Sequence, residues 1–337
     1  MGRQFLNYVN GKWVAPQSDR WFEREDPATG DPVGSFPDSG AGDIDGAAAA
    51  AAGAWDGWRS TPAPRRAEIL FRAAQMMVER KEALARDITV EMGKVLKEAR
   101  GDVQEAIDMA YYAAGEGRRM FGHTAPSELP NKFAMALRQP HGVVAAITPW
   151  NFPLAIPCWK LMPALVTGNT LVFKPSPYSP LSAHNLVQLL EEAGLPPGVC
   201  NLAFGEDEAG AALVRDPRVA MVSFTGSQEV GREIAAYCGR EGKRVHLEMG
   251  GKNAIIVLDD ADVELAVEGA VWSAFGTSGQ RCTAASRLIV QERLVSSFSD
   301  RLISRAQALR LGNGLDPETE VGPVVNRPQI EKIQRYM

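Results

Sequence analysis

His141-Gly142-Val143-Val144-Ala145-Ala146-Ile147-Thr148-Pro149-Trp150-Asn151-Phe152-Pro153 sets an apolar run of strand length directly before a turn bounded by two prolines. A helical segment follows from about 155. Thr170–Phe173 is a second strand-length run, with a helix from about 181 behind it. Val199–Phe204, Val219–Phe224 and Arg244–Leu247 continue the series, with helices between them. Alternation of this kind predicts βαβ units, a parallel sheet and helices on both of its faces. Ligands on such sheets bind beyond the carboxyl ends of the strands. A second alternation begins at Ala254–Leu258, with a helix near 262–275, a strand near 287–291 and a helix near 293–311.

On the amino-terminal side, Phe5 to Val14 reads as a hairpin turning at Asn10-Gly11, the dipeptide that suits a type I′ turn. Asp43 is placed to cap a helix through Ala47–Ala54; alanine is the best helix former, so the stretch reads as packed helix rather than disorder. Helical patterns follow at 64–79, 81–92 and 97–119. From Gly122 to Gln139 the helical period is lost, and the segment reads as an extended arm crossing to another domain or subunit. No internal repeat of fixed period is present.

The chain has 337 residues, 45% hydrophobic and 23% charged, as expected of a soluble globular protein with more than one core. A net charge of -5 offers no basic face for nucleic acid. Met1 to Phe5 runs into polar sequence without a signal-like apolar stretch, and no run is long enough to span a bilayer. A cytosolic protein is expected. Cys158, Cys200, Cys238 and Cys282 have no paired spacing, which argues against a disulfide framework and against a structural metal site.

Four segments carry chemistry. Gly276-Thr277-Ser278-Gly279-Gln280-Arg281-Cys282-Thr283 is a small-residue loop after a helix, suited to close approach to a ligand, with Arg281 and backbone amides able to lower the Cys282 pKa. The alternative is a buried, inert cysteine. Leu247-Glu248-Met249-Gly250-Gly251-Lys252-Asn253 sets an acid where a strand meets a Gly-Gly turn; partial burial there would raise its pKa toward that of a general base. A structural carboxylate paired with Lys252 is the other reading. Thr148-Pro149-Trp150-Asn151-Phe152-Pro153 holds an asparagine amide rigidly, as an oxyanion donor or as a turn satisfying its own backbone. Phe224-Thr225-Gly226-Ser227-Gln228-Glu229-Val230-Gly231 runs from strand through glycine turn to helix, so amides and a positive helix end face an anion.

Taken together and in this order, these segments resemble the aldehyde dehydrogenase superfamily, from about Phe5 to the last residue. Leu247–Ala254 matches its glutamate signature and Gly279-Gln280-Arg281-Cys282 its cysteine signature. The intervals from Glu248 to Cys282 (282 − 248 = 34) and from Asn151 to Lys174 (174 − 151 = 23) also agree. The resemblance implies an α/β fold with a Rossmann-type parallel-sheet cofactor domain and a second α/β catalytic domain, incomplete here. Residues 1–121 would be the helical part of the cofactor-binding domain, 122–140 a bridging and oligomerisation arm, 141–250 the NAD(P)-binding core, and 251–337 a partial catalytic domain.

It further implies that Cys282 attacks an aldehyde and that Asn151 and the Cys282 backbone N–H hold the oxyanion. Hydride passes to NAD or NADP, and Glu248 activates the water that hydrolyses the thioester. Cofactor contacts would fall on Ile147, Thr148, Pro149, Trp150, Asn151, Lys174, Ser176, Pro177, Thr225, Gly226, Ser227, Gly231, Glu248, Met249 and Gly250, with no metal. Lys174 would reach the adenosine ribose hydroxyls. Glu248 points away from the acyl-CoA-forming relatives, which lack that acid.

Two departures stand out. Three residues after Lys174, where NAD-preferring members carry a ribose-binding glutamate, this chain has Pro177, which predicts dual or NADP-tolerant use. The family also usually continues well beyond the final Gln334-Arg335-Tyr336-Met337, which sits inside a helical pattern, so a fragment of a longer protein with an exposed sheet edge and apolar face is expected. Dimers or tetramers are implied if that further region is present. Of the aldehyde-tunnel residues present (Phe152, Trp159, Thr277, Arg281 and Thr283), Arg281 hints at a semialdehyde carboxylate, such as succinic or α-ketoglutaric; pairing within its own loop is the alternative. Two other functions remain open at this level: a cofactor-independent thiol ester hydrolase using Cys282 with His246 or Glu248, and an inactive cofactor-binding remnant.

Overall fold

A computed structural model describes residues 3–336, so the readings at Met1, Gly2 and Met337 lie outside the described residues. The elements run β1 (Asn7–Val9), β2 (Lys12–Val14), β3 (Trp21–Glu25), β4 (Pro32–Pro37), α1 (Ala41–Ser60), α2 (Ala63–Glu79), α3 (Lys81–Met92), α4 (Leu96–Glu116), β5 (His123–Pro126) and β6 (Phe133–Ala136). They continue with β7 (Val143–Ile147), α5 (Ala155–Val166), β8 (Thr170–Lys174), α6 (Pro180–Glu192), β9 (Cys200–Leu202), α7 (Asp207–Arg215), β10 (Val219–Gly226), α8 (Gln228–Glu241) and β11 (Arg244–Met249). Last come β12 (Asn253–Val257), α9 (Val263–Phe275), β13 (Ala285–Val290), α10 (Val295–Gln307) and α11 (Arg327–Gln334).

Among the described residues the main sheet has the order β11-β10-β7-β8-β9-β1-β2. The run β11-β10-β7-β8-β9 is parallel, as the alternation predicts. Its first strand in the chain, β7, lies between β8 and β10, so the connections diverge on either side of it. A crevice opens at such a switch point, beyond the strand ends. Strand alternation covers both faces: Val144, Ala146, Leu171 and Phe173 enter a core with α2 to α6, while Val143, Ala145, Ile147 and Val172 enter one with α1, α7 and α8. Each such large apolar side chain contributes ~1.5–3 kcal/mol by leaving water.

The Asn10-Gly11 hairpin forms, with both turn residues at positive φ (51° and 76°). It also joins the main sheet, β1 running antiparallel to β9, so the sheet is mixed at that end. Asp43 does not occupy the cap position of α1. Gly40 does, and Asp43, one turn in, accepts the Gly40 N–H at 3.0 Å and the Gln17 N–H at 2.8 Å. The helix therefore starts earlier than its alanine run, and the Asp43 carboxylate, at the third position, reaches back to the N–H of the cap residue rather than accepting an amide ahead of itself. The 122–139 segment is extended but folds back as an exposed antiparallel hairpin, β5 with β6.

The last part has its own core of Val257, Val267, Val271 and Phe298 beneath the parallel pair β12–β13. Ile256 and Ile289 on that pair remain 65% and 54% exposed, the apolar face expected from the sequence. Strand β11 is an edge of the main sheet. No helix among the described residues is long and apolar enough to cross a membrane.

Candidate active site

The parallel register brings the chemistry to one rim. Ile147 lies opposite Lys174 on β8 and Phe224 on β10, and Thr225 lies opposite Glu248 on β11. Beyond these strand ends is a cleft of about 1560 Å³, which the α9–β13 loop also lines with Gln280, Arg281 and Cys282. Every catalytic and cofactor-contact residue nominated from the sequence lines this cleft except Gly231. Gly231 lies beneath it: a Cβ there would stand 2.5 Å from the Met249 sulfur, so a larger residue would have to displace that side chain.

Cys282 is exposed, whereas Cys158, Cys200 and Cys238 are buried. The inert-cysteine alternative therefore applies to three of the four thiols and not to this one. Its loop is held from several sides. Asn253 donates to the Cys282 carbonyl at 2.7 Å. The buried Gln280 donates from its Nε2 to the Thr277 carbonyl and accepts the Val325 N–H at 3.0 Å. Thr277 and Ser278 take the left-handed conformation at φ 52° and 54°. For non-glycine residues such positions cost ~1–3 kcal/mol each and persist only where their surroundings hold them.

The Asn151 Nδ2 donates to the Gln280 carbonyl at 2.9 Å, joining the proline-bounded turn to the cysteine loop. A carbonyl only accepts, so the amide end facing it must be the NH2, which leaves a second N–H free. The Asn151 Oδ1 is buried without a partner, as is the Thr148 Oγ1.

Glu248 departs from expectation. Its side chain is 65% exposed rather than partly buried, because β11 is an edge strand with a neighbour on one side only. Its nearest ionisable neighbour is His246, whose Nε2 lies 3.6 Å from Oε1 on the same strand face, and not Lys252, whose ammonium lies over the Tyr336 ring.

Arg281 also departs from its more pointed reading. Its Nη2 is 2.6 Å from Glu98 Oε1, its Nε donates to Thr277 Oγ1 at 3.0 Å, and its guanidinium stacks over Trp272. It pairs within its loop and with α4, so it is not a free receptor for a substrate carboxylate. Of the other tunnel candidates, Trp159 lines the cleft, Thr277 is buried against Glu98, Phe152 covers the Lys94 ammonium, and Thr283 is exposed outside the lining.

Lys160 was missed from sequence. It reaches the cleft from α5 and donates from Nζ to Ser223 Oγ at 3.1 Å. Burial lowers its pKa to about 8, opposed by the nearby Glu248. The available signal was a lysine inside the otherwise apolar Cys158–Met162 run.

At the other end of the cleft, burial lowers Lys174 to about 8 against the pull of Asp207, Glu206 and Asp38. Ser227 caps α8, its Oγ accepting the Val230 N–H at 3.3 Å. The remaining first-turn amides of such a helix have no partner inside it and attract an anion. An unpartnered buried hydroxyl at Thr148, a helix N-terminus and a buried lysine along one open cleft fit a dinucleotide.

The sequence profile of the Aldehyde dehydrogenase family matches residues 13–337. The chain belongs to the aldehyde dehydrogenase family. It is 40% identical over 335 residues to the α-ketoglutaric semialdehyde dehydrogenase of Bacillus subtilis (strain 168), spanning 99% of this chain and 69% of that relative. It is also 40% identical over 330 residues to the NADP(+) succinate-semialdehyde dehydrogenase GabD of Escherichia coli (strain K12), covering 98% and 68%. The crystal structure of a betaine aldehyde dehydrogenase from Staphylococcus aureus with NAD+ superposes with a TM-score of 0.96 at 36% identity, covering 98% of this chain and 66% of that one. An aldehyde dehydrogenase of this family oxidises an aldehyde to the carboxylic acid with NAD(P)+, and that is the activity of this chain. The cofactor-independent ester-hydrolase alternative gives way to it.

Proposed function

We propose that Cys282 is the nucleophile, Asn151 and the Cys282 backbone N–H the oxyanion donors, and Glu248 the base, in an enzyme acting on a short aldehyde with a distal carboxylate. The observation that carries this reading is the meeting of an exposed thiol, a fixed asparagine amide and a strand-end carboxylate along one cleft. The thiolate forms a C–S bond to the carbonyl carbon, and the charge gathering on oxygen falls to the two N–H donors. Bound NAD(P)+ supplies the acceptor for the two electrons that leave the carbon. Cys282 is then an acyl thioester. Glu248 takes a proton from water as it adds to the thioester, the acid departs, and Cys282 returns to thiolate. Dividing the oxidation in two through a covalent intermediate lowers each barrier.

Residues 141–250 would hold the cofactor: Thr225, Gly226 and Ser227 at the pyrophosphate with the α8 amides, Lys174 and Ser176 at the adenosine ribose, and Ile147 to Asn151 with Glu248, Met249 and Gly250 toward the nicotinamide. The residues after 250 would form the catalytic portion.

The carboxylated substrate class rests on the names of the two semialdehyde dehydrogenases above, not on Arg281. A charged hydrogen bond to the distal carboxylate contributes ~1.5–3 kcal/mol, so kcat/KM for succinic or α-ketoglutaric semialdehyde should exceed that for an uncharged aldehyde of equal length by about 10–100-fold. A panel of such pairs tests this, and equal or reversed preference removes the assignment.

Pro177 lines the cleft beside Lys174 and Ser176, offering neither an acceptor for a 2′-hydroxyl nor a charge against a 2′-phosphate. NAD+ and NADP+ should therefore serve with kcat/KM values within about a hundredfold of each other. Because Lys174 loses its proton as pH rises through about 8, KM for NADP+ should rise between pH 7 and 9 more steeply than KM for NAD+. A strict NAD preference, or pH profiles of equal slope, would count against this arrangement.

A cytosolic setting suits an exposed nucleophilic thiol, which a reducing compartment keeps free. The exposed β5–β6 hairpin, with Phe133 and Met135 in solvent, is the natural arm for a homo-oligomer, a dimer or a tetramer.

A further inference from the structure

Helix α4 carries Glu98 and Asp102 four residues apart on one face, and Lys94 comes from the non-helical lead-in just before it. Each reaches a different part of the site. Lys94 and Asp102 are wholly buried and paired at 2.9 Å. The other oxygen of Asp102 accepts the Ala155 N–H at 2.8 Å, at the start of α5. The Lys94 ammonium lies 4.1 Å from the Phe152 ring, so both partners grip the turn that holds Asn151. One turn away, Glu98 accepts the Thr277 N–H at 2.8 Å, the Thr277 hydroxyl at 3.0 Å and Arg281 Nη2 at 2.6 Å. The strained residues before Cys282 are thus fastened to the same helix face as the asparagine turn. Gly93, at φ 89°, packs against Pro323 so closely that a Cβ would lie 2.8 Å from its ring, and the Pro323 segment accepts from Ser278.

We propose that this face of α4 sets the distance between the nucleophile loop and the oxyanion turn, with Glu98 the positioning residue for Cys282. Glu98 touches neither substrate nor cofactor in this arrangement; it acts through Thr277 and Arg281. The proposal rests on Cys282 being the nucleophile. Arg281 then serves as one arm of the clamp, which accounts for an arginine directly before the cysteine without calling on a substrate charge.

Glu98→Gln tests the proposal at constant side-chain volume. It turns an NH2 toward donors that need an acceptor, so the loop loses one of its fixed points. A misplacement of about 1 Å costs on the order of 10²-fold in rate. The expected result is a kcat lower by about 10–100-fold, iodoacetamide alkylation of Cys282 slower by at least about fivefold, and Kd for NAD(P)+ within about twofold of wild type. Thr277→Val, which removes only the hydroxyl shared by Glu98 and Arg281, should move kcat and alkylation in the same direction by a smaller factor, and stands in should the glutamine variant not fold. Wild-type kcat and alkylation rate in a folded variant would overturn the positioning role. So would a cofactor Kd that weakens in step with kcat, since that reports general loosening. Full turnover by wild-type enzyme whose Cys282 is completely alkylated would remove the nucleophile assignment itself, which separates the two failures.

Discussion

Replacing Cys282 with alanine should lower kcat for aldehyde oxidation by about 10⁴–10⁶-fold, because no other thiol lines the cleft to form the thioester. The variant should fold, since the Cys282 side chain is exposed and its loop is held through backbone and neighbouring contacts: Asn253 on the 282 carbonyl, Gln280 on Thr277 and Val325, and Glu98 on Thr277. Cofactor affinity should stay within about twofold, less than ~0.5 kcal/mol. The remaining cysteines cannot replace it. Burial pushes the Cys200 thiol up to about 12 and raises Cys158 and Cys238 as well, so each stays protonated and out of reach. Alanine at those three positions should change kcat little, apart from any loss of stability from the space left behind. Formation of NAD(P)H followed at 340 nm checks both statements, and turnover by Cys282→Ala within about 10³-fold of wild type would contradict the first.

Glu248→Gln should separate the two half-reactions. The amide cannot take a proton from water, so hydrolysis should slow by about 10²–10⁴-fold while acylation of Cys282 proceeds. Rapid mixing with aldehyde and cofactor should give a burst of NAD(P)H close to one equivalent per active site, followed by a slow steady state. Hydroxylamine, which attacks thioesters without needing a base, should restore part of the turnover. His246, 3.6 Å from Glu248 and likewise exposed, is the neighbour in direct contact that could substitute as a base. The double variant His246→Gln/Glu248→Gln should therefore hydrolyse no faster than the single one. A Glu248→Gln enzyme without a burst would place the glutamate in acylation instead.

The parallel sheet, its strand ends and the helices between them were legible because apolar periodicity is local: Val143–Ile147 and Thr170–Lys174 announce buried strands whatever surrounds them. The site segments were legible for a related reason, since each lies just past a strand or helix end, and the switch at β7 brings those ends to one rim. What escaped was set by partners far along the chain. The acceptor for Arg281 stands 183 residues earlier, on α4, and nothing around Glu98 distinguishes it from a surface acid. The attachment of the amino-terminal hairpin to β9 spans a similar separation. The exposure of Glu248 follows from β11 being a sheet edge, a property of strand order rather than of the sequence around it. Lys160 was obscured by its neighbours, because an apolar helix run reads as core even where one position turns toward a cleft.

The acyl-enzyme offers the most direct test. Glu248→Gln protein is mixed with NAD(P)+ and a semialdehyde, quenched in acid within the burst, and analysed by intact mass and peptide mapping. The expected product is a single acyl adduct, in the peptide containing Cys282, that appears only when both aldehyde and cofactor are present. An adduct on another residue, or an NAD(P)H burst from protein that never carries one, would contradict the assignment of Cys282.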